Sequence, residues 1–146
     1  MFVDASAIVA VLLREPGFEA ILNVLDNPKE PLRVSPLVRY EAVLAVAKAR
    51  SRRAPGRLSA ESIRLAADAV DLCLRATGAT EVDVTAEIGR SAVEASARFG
   101  KVVGHRADLN FGDCFAYACT VANGDALLFV GDDFVHTDLR LALASR

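Results

Sequence analysis

Five acidic residues occupy positions from which carboxylates could do chemistry together: Asp4, Glu41, Asp113, Asp132 and Asp133. All but Glu41 lie next to apolar or glycine-containing stretches that predict junctions between strands and helices. Several ionised carboxylates cannot share one pocket without a counter-charge. A hard divalent cation supplies that charge, and Mg²⁺ typically takes one or two carboxylates with waters and phosphate oxygens. The set therefore predicts metal-assisted hydrolysis of phosphodiester bonds.

Glu41 is the acid that local structure explains least well. It lies four residues after Leu37 and three before Leu44, spacings that place all three on one face of a helix. Burying an unpaired carboxylate is costly, so this one needs a cation, a metal or the edge of a cleft. The alternative is a slightly rotated helix that leaves Glu41 at its boundary, beside Arg39 or Arg33.

The other acids have local explanations that remain open at this point. Asp4 and Asp113 each precede a helical stretch, and aspartate is among the best helix N-caps. Asp132 and Asp133 follow Gly131, where acidic residues are common in polar turns.

Short apolar strands alternate along the chain with helical patterns. We predict strands at 1–4, 32–34, 80–84 and 126–130, and helices at 5–13, 18–25, 36–52, 63–75, 85–100 and 113–122. Buried parallel strands that alternate with helices are typical of an α/β/α sandwich covered on both faces. Such sheets place their sites beyond the carboxyl ends of the strands. We expect a single domain over residues 1–146.

Composition sets the class of protein. With 53% hydrophobic and 25% charged residues the chain is not of the disordered class. No apolar run approaches the ~20 residues of a membrane span, and we expect no signal peptide. The three cysteines are odd in number and lack a C-x-x-C pair, which favours buried thiols in a reducing cytoplasm.

The net charge of −2 by itself argues against a nucleic-acid binder. Assigning the five acids to one metal site leaves 14 acidic against 17 basic residues elsewhere. A mildly acidic total is therefore compatible with an enzyme that hydrolyses phosphodiester bonds.

Four segments resemble those of PIN-domain ribonucleases, specifically the VapC-type toxins of bacterial toxin–antitoxin modules. The resemblance covers almost the whole chain, in matching order and spacing. The segments are Met1-Phe-Val-Asp-Ala-Ser-Ala7, Tyr40-Glu-Ala-Val43, Asn110-Phe-Gly-Asp-Cys-Phe-Ala-Tyr-Ala118, and Leu127-Leu-Phe-Val-Gly-Asp-Asp-Phe134 with His136-Thr-Asp138.

The resemblance implies a PIN-like three-layer α/β/α sandwich with a short central parallel sheet. It implies a Mg²⁺-dependent endoribonuclease, with Mn²⁺ as a substitute, that acts on tRNA or ribosomal RNA. It also implies a homodimer neutralised by a cognate VapB-type antitoxin, in a heterotetramer or larger complex. The four metal-binding acids would be Asp4, Glu41, Asp113 and Asp132, with Asp133 as the second choice for the fourth.

Further residues are candidates for supporting roles. Ser6 could hydrogen-bond an acid or cap its helix, and Asn110 could steer a ligand or shape its loop. His105 and Arg106, with Lys101, precede the Asp113 segment and are candidate substrate contacts. Arginines at the end of the third helix could contact RNA phosphates or stabilise the helix C-terminus; these are Arg50, Arg52, Arg53 and Arg57.

Three other functions compete with the ribonuclease. A haloacid-dehalogenase-like phosphatase also starts with a strand ending in aspartate, but it needs a second aspartate where this chain has Ser6. A non-catalytic PIN scaffold that binds RNA or protein would not need all four acids. A receiver-like signalling domain fits least, because its paired early acids and late lysine are not present.

Overall fold

The computed structural model describes residues 1–51 and 57–143. Its sheet has four parallel strands in the order β3-β2-β1-β4. The strands are β1 (Phe2–Val3), β2 (Arg33–Val34), β3 (Thr80–Glu81) and β4 (Leu127–Leu128). Each is only two residues long and lies within one of the predicted strand segments, but β3, at the edge of the sheet, is exposed and not buried as predicted. This confirms the predicted short parallel sheet.

Six α-helices surround the sheet: α1 (Ala5–Leu13), α2 (Phe18–Asp26), α3 (Pro36–Ser51), α4 (Ala60–Thr77), α5 (Ala86–Phe99) and α6 (Phe111–Ala122). Because crossovers between parallel strands are right-handed, the connections β1-β2-β3 carry α1 to α4 along one face. The return from β3 to β4 carries α5 and α6 along the other. The helix contacts agree, since α5 packs mainly on α6 while α3 packs on α4 and α1.

The strand order reverses between β1 and β4. Phe2, Val3, Leu127 and Leu128 of these two strands are almost completely buried, which anchors them in the middle of the core. The Asp4 backbone N–H continues the pairing by donating to the Leu128 carbonyl at 2.9 Å. In open parallel sheets, ligands bind beyond the carboxyl ends of the strands at such a reversal. The segments after β1 and β4 are therefore positioned for a site.

Two helices start earlier than their sequence patterns predict. The prediction began α4 at Ile63, but the Ser59 hydroxyl caps it by accepting the Ser62 N–H at 3.0 Å, and the helix begins at Ala60. The prediction also opened α6 at Asp113, whereas Asn110 is its N-cap and Phe111 its first residue. In both cases the sequence prediction leaves the polar residues of the first helical turn in the preceding loop. Residues 101–112 include a short 3₁₀ helix at Lys101–Val103, and a second one spans Asp133–His136.

Candidate active site

Asp4 lies at the junction of β1 and α1 and is almost completely buried. It is the N-cap of α1, and its Oδ2 accepts the Ser6 N–H at 2.9 Å and the Ser6 hydroxyl at 2.6 Å. The same hydroxyl accepts the Val130 N–H at 3.0 Å. Ser6 therefore does more than form part of a cap, because it joins the Asp4 carboxylate to the segment that follows β4.

Glu41 points from α3 towards the first turn of α6. Its carboxylate lies directly against Gly112, where even a Cβ would collide with the Glu41 oxygens. The two arginines considered as its partners are engaged elsewhere. Arg39 pairs with Asp71 at 2.7 Å, and Arg33 pairs with Asp125 at 2.7 Å. The half-buried Glu41 is thus held at the edge of a cleft without either cation.

Asp113 is fixed by a reciprocal cap at the start of α6. The Asn110 side-chain oxygen accepts the N–H groups of Gly112 and Asp113 at 2.8 and 3.2 Å. In return Asp113 Oδ2 accepts the Asn110 N–H at 2.8 Å. This capping box uses one carboxylate oxygen of Asp113. Asn110 therefore shapes its loop and also orients an acid of the site.

The three carboxylates influence one another's protonation. Burial, together with the charges of Asp4 and Asp113, raises the pKa of Glu41 to about 7. Burial also raises the pKa of Asp113 to about 6, against the Asn110 hydrogen bond and with help from Asp4 and Asp133. Burial raises the pKa of Asp4 as well, and the hydrogen bonds from Ser6 partly offset that effect. Each acid is harder to ionise chiefly because it is buried, and a neighbouring acidic charge adds to that effect.

These acids line one groove of about 290 Å³ between α1, α3, α6 and the end of β4. Glu15 also lines it, and the sequence analysis missed this residue. Arg14 ends α1 in a left-handed conformation with φ of 52°, and the chain turns there before Glu15. Nothing in the sequence marks a non-glycine residue for that conformation, so no signal could have placed Glu15 at the groove.

The two aspartates after β4 have different surroundings. Both are exposed, but Asp133 is the one whose charge raises the pKa values of Asp4 and Asp113. Asp132 instead occupies the N-cap position of the 3₁₀ helix at Asp133–His136. Downstream, Asp138 accepts hydrogen bonds from Tyr117 at 2.6 Å and Arg98 at 2.8 Å, which attaches this segment to α5 and α6.

His105 and Arg106 do not line the groove. The Nδ1 of His105 accepts the Ala107 N–H at 3.1 Å, and its ring packs edge-on against Phe99. These contacts give His105 a role in shaping its loop. Arg106 is exposed. Of the arginine cluster, Arg52 and Arg53 lie outside the described residues.

The donors of the groove suit a hard divalent cation. Carboxylate oxygens are the ligands such ions prefer, and a cation would relieve the repulsion that raises the pKa values here. Over residues 1–51 and 57–143, no three His, Cys, Asp or Glu side chains converge as a ready metal site. The fit is therefore to an ion that takes one or two carboxylates and completes its shell with water and substrate oxygens.

Comparison with known proteins decides the family. The PIN domain model matches residues 1–139. The chain belongs to the PIN-domain family. A VapC ribonuclease of Rhizobium meliloti (strain 1021) is 45% identical over 139 residues, which cover 94% of this chain and 98% of that one. Ribonuclease VapC42 of Mycobacterium tuberculosis (strain ATCC 25618 / H37Rv) is 35% identical over 97% of this chain and 98% of its own.

Within the PIN domains, the chain is thus a member of the VapC ribonucleases, which confirms the resemblance seen in its motifs. The fold agrees. The crystal structure of VapC20 from Mycobacterium tuberculosis, described as a toxin that cleaves the sarcin-ricin loop, superposes with a TM-score of 0.66. The superposition covers 94% of this chain and 95% of that one at 19% identity.

Two further findings concern the rest of this VapC-family chain. Cys73, Cys114 and Cys119 are free thiols; Cys114 and Cys119 are buried as predicted, whereas Cys73 is only partly buried. No helix in the described residues combines the length and apolar character needed to cross a bilayer.

Proposed function

We propose that this VapC-family protein is the toxin of a type II toxin–antitoxin module and acts as a Mg²⁺-dependent endoribonuclease, with Mn²⁺ able to substitute. The observation that carries the proposal is that Asp4, Glu41 and Asp113 line one groove, where burial and neighbouring acidic charges raise the pKa values of Glu41 and Asp113. The family membership supplies the reaction: hydrolysis of RNA phosphodiester bonds.

Asp4 and Asp113 are the principal metal ligands and Glu41 is the third acid of the site. Asp133 supplies the fourth carboxylate in preference to Asp132, because the charge of Asp133, and not that of Asp132, raises the pKa values of Asp4 and Asp113. A divalent ion held by these acids would supply positive charge for the transition state and lower the pKa of an attacking water. Ser6 and Asn110 hold Asp4 and Asp113 in orientation, and the groove gives the scissile phosphate its place.

The substrate is a structured RNA of the tRNA or ribosomal RNA class. The protein works in the cytoplasm as a single PIN domain over residues 1–146, forms a homodimer, and assembles with a VapB-type antitoxin into a heterotetramer or larger complex. A short reading frame beside the toxin gene that encodes a small DNA-binding protein is the expected source of this antitoxin.

The test is cleavage of purified tRNA and ribosomal RNA by the full chain in Mg²⁺, compared with Asp113→Asn and Asp4→Asn. We expect cleavage by the unaltered protein and none by either variant, with the circular dichroism spectra unchanged. Expression of the unaltered protein should stop growth, and co-expression of the antitoxin should restore it. Absence of cleavage in both Mg²⁺ and Mn²⁺, together with harmless expression, would refute the proposal.

The competing functions predict other results. A haloacid-dehalogenase-like phosphatase would form an aspartyl-phosphate that a phosphate mimic traps, but the PIN-domain match leaves that alternative without support. A non-catalytic scaffold would bind RNA equally well before and after Asp113→Asn and would leave it intact.

A further inference from the structure

A second cavity lies beside the acidic groove, between α5, the 3₁₀ helix at Lys101–Val103 and the start of α6. Its volume is about 570 Å³, within the range of small-molecule sites. Its walls are mostly apolar, and the residues used below are Val93, Lys101, Val102, Asn110, Phe111 and Phe115. The proposed function gives this cavity no role.

An aromatic pair forms one wall of the cavity. Phe111 is 70% exposed, although a side chain of this size is usually buried. Its ring lies 4.9 Å from that of Phe115, with their planes inclined by 53°. The neighbouring ring keeps Phe111 in place while leaving much of it accessible. An exposed and supported aromatic ring is the kind of surface on which unpaired bases stack.

The cavity and the acidic groove lie on either side of the first turn of α6, and Asn110 links them. Asn110 lines the cavity, and it also exchanges hydrogen bonds with Asp113. Phe111 and Asp113 are two positions apart, so they are separated by about 3 Å along the helix axis and leave it on roughly opposite sides. A nucleotide that crosses this helix end would have its phosphate on the Asp113 side and its base on the Phe111 side.

Charge at the rim suits the same ligand. Lys101 borders the cavity, and its ammonium lies 3.3 Å from Asp108 in an exposed ion pair. Exposed pairs of this kind contribute little stability, so a phosphate can compete for the lysine. The apolar walls offer few partners for the edges of a base. Recognition here would depend on stacking and would tolerate any base, because every base has a π-face.

We propose that this cavity binds the unpaired nucleobase of a nucleotide flanking the scissile phosphate, with Phe111 as its stacking platform. The proposal rests on the ribonuclease function proposed above and adds a subsite to it. The occupant is RNA and not a protein, because the cavity shares Asn110 with the catalytic acid and carries a cation at its rim. Stacking there would hold the adjoining phosphate over the acidic groove.

The test uses 12-nucleotide single-stranded RNAs in which one abasic nucleotide is moved stepwise along the strand. Binding is measured by fluorescence anisotropy in Mg²⁺ with the full chain carrying Asp4→Asn, which prevents cleavage. Adding Phe111→Ala should weaken binding of the intact RNA roughly 5- to 150-fold, the range for losing one stacked base. Phe111→Tyr retains a stacking ring and should bind within about threefold of the parent.

The decisive result is coupling between protein and RNA. One abasic position should weaken binding by the parent, and the same abasic site should cost nothing further in Phe111→Ala. Leu72→Ala is the matched control, since Leu72 is another large exposed apolar residue and lies on α4. It should bind every RNA as the parent does. Unchanged affinity in Phe111→Ala, or additive losses, would overturn the proposal.

The remaining outcomes separate this proposal from its rivals. If Phe111→Ala changes the oligomeric mass in light scattering and leaves RNA affinity intact, the cavity is a protein interface and the proposal is wrong. The last comparison uses protein that retains Asp4 and can therefore cleave. If the unaltered protein cleaves RNA and the single variant Phe111→Ala cleaves it with the same KM, only the base subsite fails. If the unaltered protein cleaves no RNA, the proposed function itself fails.

Discussion

The carboxylate of Glu41 lies where the side chain of residue 112 would begin, so only a glycine at position 112 leaves room for it. Gly112 sits in the first turn of α6, next to Asp113. The absence of a side chain there lets an acid from α3 approach the acid at the start of α6. Two carboxylates from helices far apart in sequence therefore line the same groove.

The substitution Gly112→Ala tests this relationship. The added methyl must displace the Glu41 carboxylate, so we expect RNA cleavage to fall by about tenfold or more, as expected when a group at a reacting centre is misplaced. Alanine normally stabilises a helix over glycine by up to about 1 kcal/mol. We therefore expect a melting temperature close to that of the parent, because the clash offsets the helical gain.

Gly89→Ala on α5 is the matched control for that gain in helix propensity. Nothing lies within 4 Å of the Cβ it adds, so its melting temperature should rise. If the melting temperature of Gly112→Ala also rises and its cleavage rate is unchanged, Glu41 does not need the space at Gly112.

Ser6→Ala should impair catalysis through Asp4. The variant removes a hydrogen bond to a charged group, an interaction worth about 1.5–3 kcal/mol, so we expect cleavage to fall roughly tenfold. In the unaltered protein the Ser6 hydroxyl lowers the pKa of Asp4 by donating a hydrogen bond to its carboxylate. Without that bond the pKa of Asp4 should rise. The acid limb of the pH–rate profile should then move to higher pH, a shift that a purely structural defect would not produce. Ser62→Ala on α4, which does not line the groove, should leave the profile unchanged.

Much of the site follows from the sequence because its acids occupy special places in regular elements. Asp4 directly follows a buried strand, and Glu41 falls on an apolar helix face. The parallel sheet and its helices bring both to the edge where Asp113 begins α6. Strand ends and helix faces can be read from spacing alone, since each depends on a local period.

The parts that could not be predicted depend on backbone turns and loop contacts. Glu15 reaches the groove after the left-handed turn at Arg14. The difference between Asp132 and Asp133 depends on a short 3₁₀ helix that starts between them. His105 was a candidate substrate contact, yet its ring nitrogen accepts a hydrogen bond within its own loop. None of these arrangements has a repeating pattern.

Replacing Glu41 by glutamine should separate activity from stability. Glu41→Gln removes a charge whose ionisation burial and two neighbouring acids oppose, so the metal-free protein should be stabilised at neutral pH. After allowance for its partial exposure we expect about 1 kcal/mol. Cleavage should fall by at least about tenfold, because the acid no longer serves the metal site. Thermal unfolding in a chelator measures the first effect, with Glu61→Gln at the start of α4 as the control.

The metal-free protein should be more stable in mild acid than in mild base. The pKa values of Glu41 and Asp113 are raised in the folded state to about 7 and about 6, so the folded protein binds protons more tightly than the unfolded chain. This contribution is complete below the ordinary carboxylate range and is lost as pH rises through 6 and then 7. In a chelator, the melting temperature should therefore fall between about pH 5 and pH 8.

Saturating Mg²⁺ should reverse that trend, because the ion binds the ionised carboxylates of the folded protein. Cleavage should follow the metal and decrease as pH falls through 7 and 6. A metal-free melting temperature that rises towards pH 8 would show that these carboxylates are not close enough to repel one another.

A comparison of Asp133→Asn with Asp132→Asn identifies the fourth acid. The charge of Asp133 raises the pKa values of Asp4 and Asp113, so its removal should lower both and move the acid limb of the pH–rate profile to lower pH. If Asp133 also serves the metal, the Mg²⁺ concentration for half-maximal cleavage should rise by about tenfold, roughly 1.4 kcal/mol. Asp132→Asn should change neither quantity, since the Asp132 side chain makes no capping hydrogen bond and its charge does not raise the pKa of Asp4 or Asp113. The opposite result, with Mg²⁺ dependence altered only in Asp132→Asn, would assign the fourth ligand to Asp132.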